Sequence, residues 1–291
     1  MKKKMFFGGN DIKEYVDRKS SEIAIFPVAY DGTSTWIKGA DKGPFSIIDV
    51  SPNLEFYDIE TDSEVYKHGI YTAPDIPLDC SPEVMVKRVE KKTLELIDEG
   101  KFVVTIGGEH SISAGSVKAH VSRFKDVSVL QLDAHSDLRN EYEGSRYNHA
   151  CVMARVKEMC PIAQVGIRSM CVEEKANMDR DRVFFAENIV GKTGWFEKVV
   201  DKLSKNVYVT IDLDVFDPSI MPSTGTPEPG GLNWYEVTGL LREVCKKRNV
   251  IGFDCVEFCP KKEDKSPDFI AAKLIYKFLT YIYYYRKSNV V

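Results

Sequence analysis

Short apolar runs rich in β-branched residues punctuate the chain, and the stretches between them carry apolar residues at the spacing of one helix face. SEIAIFPVAY (21–30), NLEFYDI (53–59), FVVTIGG (102–108), DVSVLQLDAH (126–135), IAQVGIR (162–168), RVFFA (182–186), NVYVTIDLD (206–214) and NVIGFDCVEF (249–258) read as strands. Ser81–Glu99, Ser111–Phe124, Ala150–Met159, Gly194–Ser204, Asn233–Lys246 and Pro267–Tyr284 read as helices. Strands that alternate with helices predict an α/β fold: three layers, α/β/α, with a mostly parallel sheet of about eight strands. No repeat, low-complexity tract or break in composition interrupts the rhythm, so a single domain over residues 1–291 is expected.

The polar residues fall at telling places. Glu109 and His110 follow FVVTIGG, Asp133, His135 and Asp137 follow VSVLQL, Asp212 and Asp214 follow VYVTI, and Glu257 follows IGFDCV. The carboxyl ends of parallel strands form the ligand crevice of an open α/β sheet, so four strand ends would deliver acids and imidazoles to one edge.

Composition narrows the field. The formal charge is -4, with 43% hydrophobic and 29% charged residues, ordinary for a folded protein. The only basic block is Lys2–Lys4, so nucleic acid is not an expected partner, and a small molecule is. The apolar segment after that block is too short for a signal-peptide core, and no run approaches the ~20 apolar residues that span a bilayer. A cytoplasmic protein without membrane contact is expected. The seven cysteines are odd in number and lack a CxxC pair, which suits free thiols in a reducing compartment. The aromatic LIYKFLTYIYYYRK (274–287) reads as a packed terminal helix, with a subunit contact as the alternative.

Asp133, His135 and Asp137, and then Asp212 and Asp214, recur at every second position, which on an extended backbone aims each set one way. Converging carboxylates repel and lose solvent unless a cation sits between them. A solvated loop explains one Asp-x-Asp; two such motifs directly after buried-strand patterns, with His110 after Gly-Gly, point to metal. Four carboxylates and two imidazoles exceed the needs of one tetrahedral zinc, and an oxygen-rich set suits a pair of Mn²⁺ or related ions. Such a pair lowers the pKa of shared water from 15.7 toward neutrality, which makes hydrolysis the expected chemistry.

GGEHS (107–111), DAHSD (133–137), DLDVFDP (212–218), GTPEPGGL (225–232) and FDCVEFCP (253–260), in this order, resemble the motif series of the ureohydrolases, the arginase and agmatinase family. The resemblance begins at PVAYDGTSTWIKGADKGPFSI (27–47) and runs to the end of the chain. It implies an arginase-like fold, two Mn²⁺ per subunit, a homo-oligomer of three or six subunits, and cleavage of a guanidino group by attack of a metal-bridged hydroxide. Carried over motif by motif, His110, Asp133, His135, Asp137, Asp212 and Asp214 are metal ligands, with Asp133, Asp137 and Asp212 in the bridging role. Glu257 matches the acid that holds the substrate guanidinium and His149 the histidine that shuttles protons, so the implied catalytic residues are Asp137, His149 and Glu257. Ala150 and Cys151 after His149, and Ser223, depart from the family pattern and bear on the substrate pocket.

Bland readings stand beside these roles: His149 as a polar contact at a helix start, Glu257 as an ion-pair partner, Glu109 as an orienting group, His68 and His120 as surface or helix residues. The loop LRNEYEGSRYN (138–148) looks like the agmatinase form, which implies agmatine as substrate with putrescine and urea as products. Glu141 or Glu143 could attract the distal amine of agmatine, whereas Arg139 and Arg146 could meet a carboxylate. The alternatives are guanidinobutyrase or arginase, and, from other classes, a binuclear metallophosphoesterase or a metal-dependent sensor.

Overall fold

The computed structural model describes residues 6–9 and 13–288; the basic block at Lys2–Lys4 lies outside them. Eight strands form one sheet: β1 (Ile23–Val28), β2 (Ile70–Thr72), β3 (Phe102–Gly107), β4 (Val127–Leu132), β5 (Ile162–Ile167), β6 (Val183–Phe185), β7 (Asn206–Asp212) and β8 (Asn249–Val256). Every pairing between these strands is parallel, and their order across the sheet is β2-β1-β3-β8-β7-β4-β5-β6. The helices are α1 (Gly43–Val50), α2 (Pro82–Asp98), α3 (Ser113–Arg123), α4 (Val152–Lys157), α5 (Ala186–Ile189), α6 (Phe196–Val200), α7 (Trp234–Lys247) and α8 (Ser266–Ser288).

Two cores flank the sheet and make the third layer necessary. Ile23 and Ile25 of β1 join a core with α1, α6, α7 and α8; Ala24, Phe26 and Val28 join another with α2, α3 and α4. Residues of one strand thus alternate between two buried faces, which is why the strands read as continuous apolar runs. The α8 side chains from Ala271 to Tyr283 lie largely against the sheet, so this aromatic segment is a packed helix. Among the described residues no helix is long and apolar enough to cross a membrane.

The structure corrects one strand. Asn53–Ile59 is a loop after a 3₁₀ turn at Ser51–Asn53, closed by a single antiparallel bridge between Asp58 and Ser63. Leu54 is buried, Phe56 packs on the core, and Tyr57 and Ile59 face outward, a strand-like alternation produced by a loop draped over apolar helices. The edge strand comes instead from Ile70–Thr72, whose three residues are too few to show a period. The α1 helix, GPFSIIDV, was likewise hidden, because its N-cap is Lys42 and no side chain caps it. Helix α6 is shorter than the expected Gly194–Ser204, and a 3₁₀ turn at His149–Cys151 precedes α4.

Candidate metal centre and cavity

Strands β3, β8, β7 and β4 are consecutive in the sheet, so the four strand ends that carry the polar motifs stand side by side at its middle. After β3 the chain passes tightly over the end of β1: a Cβ on Gly108 would lie 2.0 Å from the Tyr30 carbonyl oxygen, which only glycine avoids. That turn delivers Glu109 and His110.

Local turns, rather than strand continuation, aim the acids. Asp133 accepts the His135 amide at 2.6 Å through Oδ1, Asp212 accepts the Asp214 amide at 2.9 Å through Oδ1, and Asp214 Oδ1 accepts the Ala134 amide at 2.9 Å. One oxygen of each carboxylate fixes the loop, and the Oδ2 atoms turn to the imidazoles. His110 Nδ1 lies 3.2 Å from Asp133 Oδ2, 3.1 Å from Asp137 Oδ2 and 3.4 Å from Asp212 Oδ2. His135 Nδ1 lies 2.9 Å from Asp214 Oδ2. Two donor sets able to hold a metal ion result, His110 with Asp133 and Asp212, and His135 with Asp133 and Asp214; Asp133 belongs to both. Asp137 and Glu257 have φ of 53° and 63°, a left-handed backbone that side chains other than Gly, Asn and Asp resist.

The tautomer of His110 is set from below. Thr210 Oγ1 donates to Asp254 Oδ1 at 2.6 Å, so it accepts from His110 Nε2–H at 2.8 Å. The Nδ1 lone pair therefore faces three carboxylates, and this buried nitrogen has no hydrogen-bond partner. Positive charge fits that arrangement, carried either by a proton on the nitrogen or by a metal ion that its lone pair would bind. The wider electrostatics agree. Burial opposes charge on His110, yet the carboxylates hold its pKa well above the ordinary value, and burial with the Asp214 and Asp137 charges pushes Asp133 up to about 7. Burial and the Asp214 and Asp133 charges also raise Asp212, while His135 and the Ala134 amide outweigh burial and keep Asp214 at about 2. Acids and imidazoles shifted upward together mark a site short of positive charge.

A row of buried polar side chains supports the floor. Thr105, Asp254, Thr210, Gln131 and Gln164 are register neighbours across β3, β8, β7, β4 and β5, and all are fully buried. Gln131 donates to Asp133 Oδ2 at 2.6 Å, Gln164 donates to Gln131 at 2.6 Å, and Tyr208 donates to Asp254 Oδ2 at 2.7 Å. Glu174 accepts from Ser136 Oγ, the Leu138 amide and the Cys171 amide, fixing the loop around Asp137. Arg168 donates to the carbonyls of Asp214, Glu228 and Pro229 and so ties the GTPEPGG loop to the end of β7. The reading of the sequence missed these residues, although Asp254 and Gln131, polar inside apolar runs, were the available signal.

Above the floor lies a cavity of about 290 Å³. His135, Asp137, His149, Asp212, Asp214 and Glu257 line its inner part. Glu257 Oε1 accepts the His110 amide at 2.6 Å, while Oε2 faces Gly225; burial, with the Glu109 charge, raises its pKa well above the ordinary value. Glu109 is fully buried, accepts from Ser111 and Thr33, and is pushed up to about 7 by burial. Because the Thr33 hydroxyl donates to Glu109, His149 Nδ1, 3.2 Å from Thr33 Oγ1, can only donate to it, which leaves Nε2 as the basic nitrogen. Burial lowers the His149 pKa. Glu141 and Glu143 are exposed and do not line the cavity, so the structure gives them no hold on a substrate amine there. Arg139 lines it; Arg146 points away and pairs with Glu158 at 3.0 Å. His68 is half-buried, and His120 is buried in α3.

A parallel α/β sheet whose central strand ends carry a doubled carboxylate–imidazole centre defines a hydrolase built on metal-binding groups. A sequence model of the Arginase family matches residues 21–280, and the chain belongs to that family of ureohydrolases. It is 38% identical over 290 residues to the N(1)-aminopropylagmatine ureohydrolase of Synechocystis sp., covering 96% of this chain and 94% of that one. It is 36% identical over 264 residues to the agmatinase of Pyrococcus horikoshii, covering 90% and 92%. The crystal structure of the agmatine ureohydrolase of Thermoplasma volcanium superimposes with a TM-score of 0.86 at 32% identity, covering 96% of each chain.

Proposed function

We propose that this chain hydrolyses agmatine to putrescine and urea, with two Mn²⁺ per subunit. The observation that carries the reading is His110 Nδ1, buried without a hydrogen-bond partner among Asp133, Asp137 and Asp212, at the foot of a cavity that also holds Glu257. His110, Asp133, Asp137 and Asp212 would hold one ion and Asp133, His135 and Asp214 the other, with Asp133 common to both sets and, as the resemblance implies, Asp137 and Asp212 also in the bridging role. When bound, the pair supplies Lewis acidity that turns water into a hydroxide nucleophile near neutral pH.

The chain's own residues do the rest. Glu257, steadied through Oε1 by the His110 amide, keeps Oε2 for charge-assisted bonds to the planar guanidinium and sets its carbon over the floor. Asp137 accepts hydrogen bonds from the amino groups as that carbon becomes tetrahedral. His149, whose pKa burial lowers, would take up through Nε2 the proton released from the attacking water and pass it to the departing amine. The catalytic unit spans residues 1–291 in a cytoplasmic homo-oligomer, trimer or hexamer, which sizing of the pure protein checks.

N(1)-aminopropylagmatine is a second reading, supported by the Synechocystis relative and by the cavity mouth, where Trp36 is 75% exposed and leaves the outer end open. Urea release is measured from agmatine, N(1)-aminopropylagmatine, arginine and 4-guanidinobutyrate, with chelated protein and with protein reloaded with Mn²⁺. Metal-dependent urea from agmatine is expected. Release from the extended substrate alone moves the assignment to the second reading, and none from any guanidine with both metals bound refutes ureohydrolysis.

A further inference from the structure

Among the described residues that line the cavity, one charged side chain lacks a hydrogen bond or ion pair, and it is positive. Arg139 lines the cavity half-buried, with its guanidinium carbon 4.1 Å from the centre of the Tyr142 ring. Among the described residues its side chain has no hydrogen bond or ion pair; only its backbone amide is engaged, by the Ala150 carbonyl. The exposed Glu173 feels its charge without contacting it. Of the other acids on the cavity lining, Asp137, Asp212, Asp214 and Glu257 belong to the inner site, and Glu174 spends both oxygens on Ser136, Leu138 and Cys171. A guanidinium fixed by stacking, facing a cavity and lacking a carboxylate partner is a preorganised anion receptor. At the inner end Glu257 and the metal-binding acids select a cation, so the cavity has opposite charge preferences at its two ends.

We propose that Arg139 reads the far end of the substrate and extends the site to ω-guanidino carboxylates, whose tail carboxylate pairs with it. This rests on the ureohydrolase reading of the inner end. A second cation on the tail meets Arg139 as a like charge, so agmatine is turned over against this residue rather than with its help. Tyr142 holds the guanidinium in place and belongs to the same device.

The test compares kcat/KM for 4-guanidinobutyrate and agmatine in Mn²⁺-loaded protein, for the wild type, Arg139→Met and Arg139→Glu. Methionine retains most of the stem over Tyr142 and removes the charge. Turnover of 4-guanidinobutyrate by the wild type is expected. For Arg139→Met that value falls and the agmatine value rises, each about threefold, so the ratio moves about tenfold. Arg139→Glu moves it further the same way; if that variant fails to fold, Arg139→Met decides alone. Arg146→Met, outside the cavity, should leave the ratio where it is. A wild type active on agmatine but inert toward 4-guanidinobutyrate overturns this proposal, as does a ratio unchanged in Arg139→Met. A wild type inert toward every guanidine with both metals bound overturns the ureohydrolase reading itself, and is visible before any variant is made.

Discussion

Thr210 stands between the His110 imidazole and a buried acid, and replacing it by valine isolates what that position does. The two side chains are close in shape, so no cavity opens; what disappears is the acceptor for His110 Nε2–H and the donor to Asp254 Oδ1. Asp254 keeps its bond from Tyr208 through Oδ2, so one carboxylate oxygen and one ring N–H lose their partners. Leaving a buried polar group unpaired costs about 1–3 kcal/mol of stability for each group. The larger consequence is for metal. With Nε2–H unanchored, the imidazole no longer holds Nδ1 as the lone-pair nitrogen aimed at the centre, and loss of such a supporting contact weakens metal binding about 10–100-fold. That is roughly 1.4–2.7 kcal/mol. The effect should be one-sided, because His135 makes no contact with Thr210 and reaches the centre from another strand end. Calorimetric titration of Mn²⁺ into the chelated protein should show one of the two sites weakened and the other unchanged, while Thr210→Ser behaves as the wild type. Equal weakening of both sites, or none in a folded Thr210→Val, would falsify the relay from Asp254 through Thr210 to His110.

Three other perturbations have defined outcomes. Glu257→Gln keeps the metals, as read by metal content, and lowers kcat/KM for the guanidine substrate by roughly 100-fold or more, since a charge-assisted contact becomes neutral; an unchanged kcat/KM removes Glu257 from substrate binding. His135→Asn lowers bound metal and urea release together, and full turnover after loss of one metal would sink the two-metal reading. At acid pH the Asp58–Glu60–Lys277 cluster is the informative stabiliser: burial raises Glu60, but Lys277, Tyr281 and Arg242 outweigh it and hold the pKa at about 2, against 4.5 unfolded, and Asp58 is lowered by Lys277 and Thr61 in the same way. Folded pKa values below the unfolded ones mean stability that is complete above about pH 4.5 and lost as pH falls toward 2. Urea midpoints measured from pH 6 to 2.5 should therefore converge between wild type and Lys277→Met as pH falls; a constant gap contradicts the assignment.

Burial decides which parts of this molecule could be read from its sequence. Strands such as FVVTIG and VSVLQL lie in the middle of a sheet covered on both faces, so each residue must be apolar or paired, and the run announces itself. At the edges that constraint lapses. The three residues of β2 leave no pattern, and Asn53–Ile59 mimics one, because Leu54 and Phe56 drop into a helix-lined core without any strand beside them. Helix α1 escaped for a related reason: eight residues, begun at Gly43–Pro44, offer a stop signal and no capping side chain.

The inner site was legible for a different reason, and its limits follow from the same physics. Acids and imidazoles immediately after buried strands have nowhere to go except the sheet edge, so their positions along the chain already imply convergence. What the chain cannot display is which residues become neighbours across strands. Thr210 and Asp254 are separated by more than forty positions and become partners only when β7 and β8 settle into register; Gln131 meets Gln164 through β4 and β5 in the same way. The period-two spacing pointed to residues that do come together, but the Oδ2 atoms are aimed by amide-accepting Oδ1 atoms and by the left-handed backbone at Asp137 rather than by strand continuation. The sequence left open whether Glu141 and Glu143 meet a substrate amine or are merely solvated, because a loop shows composition but not direction, and the direction is set by Glu174 and the Arg139–Tyr142 stack. The convergence of acids and imidazoles thus follows from strand order and the turns behind it, whereas the far end of the cavity, where Arg139 and Trp36 stand, is shaped by loop packing.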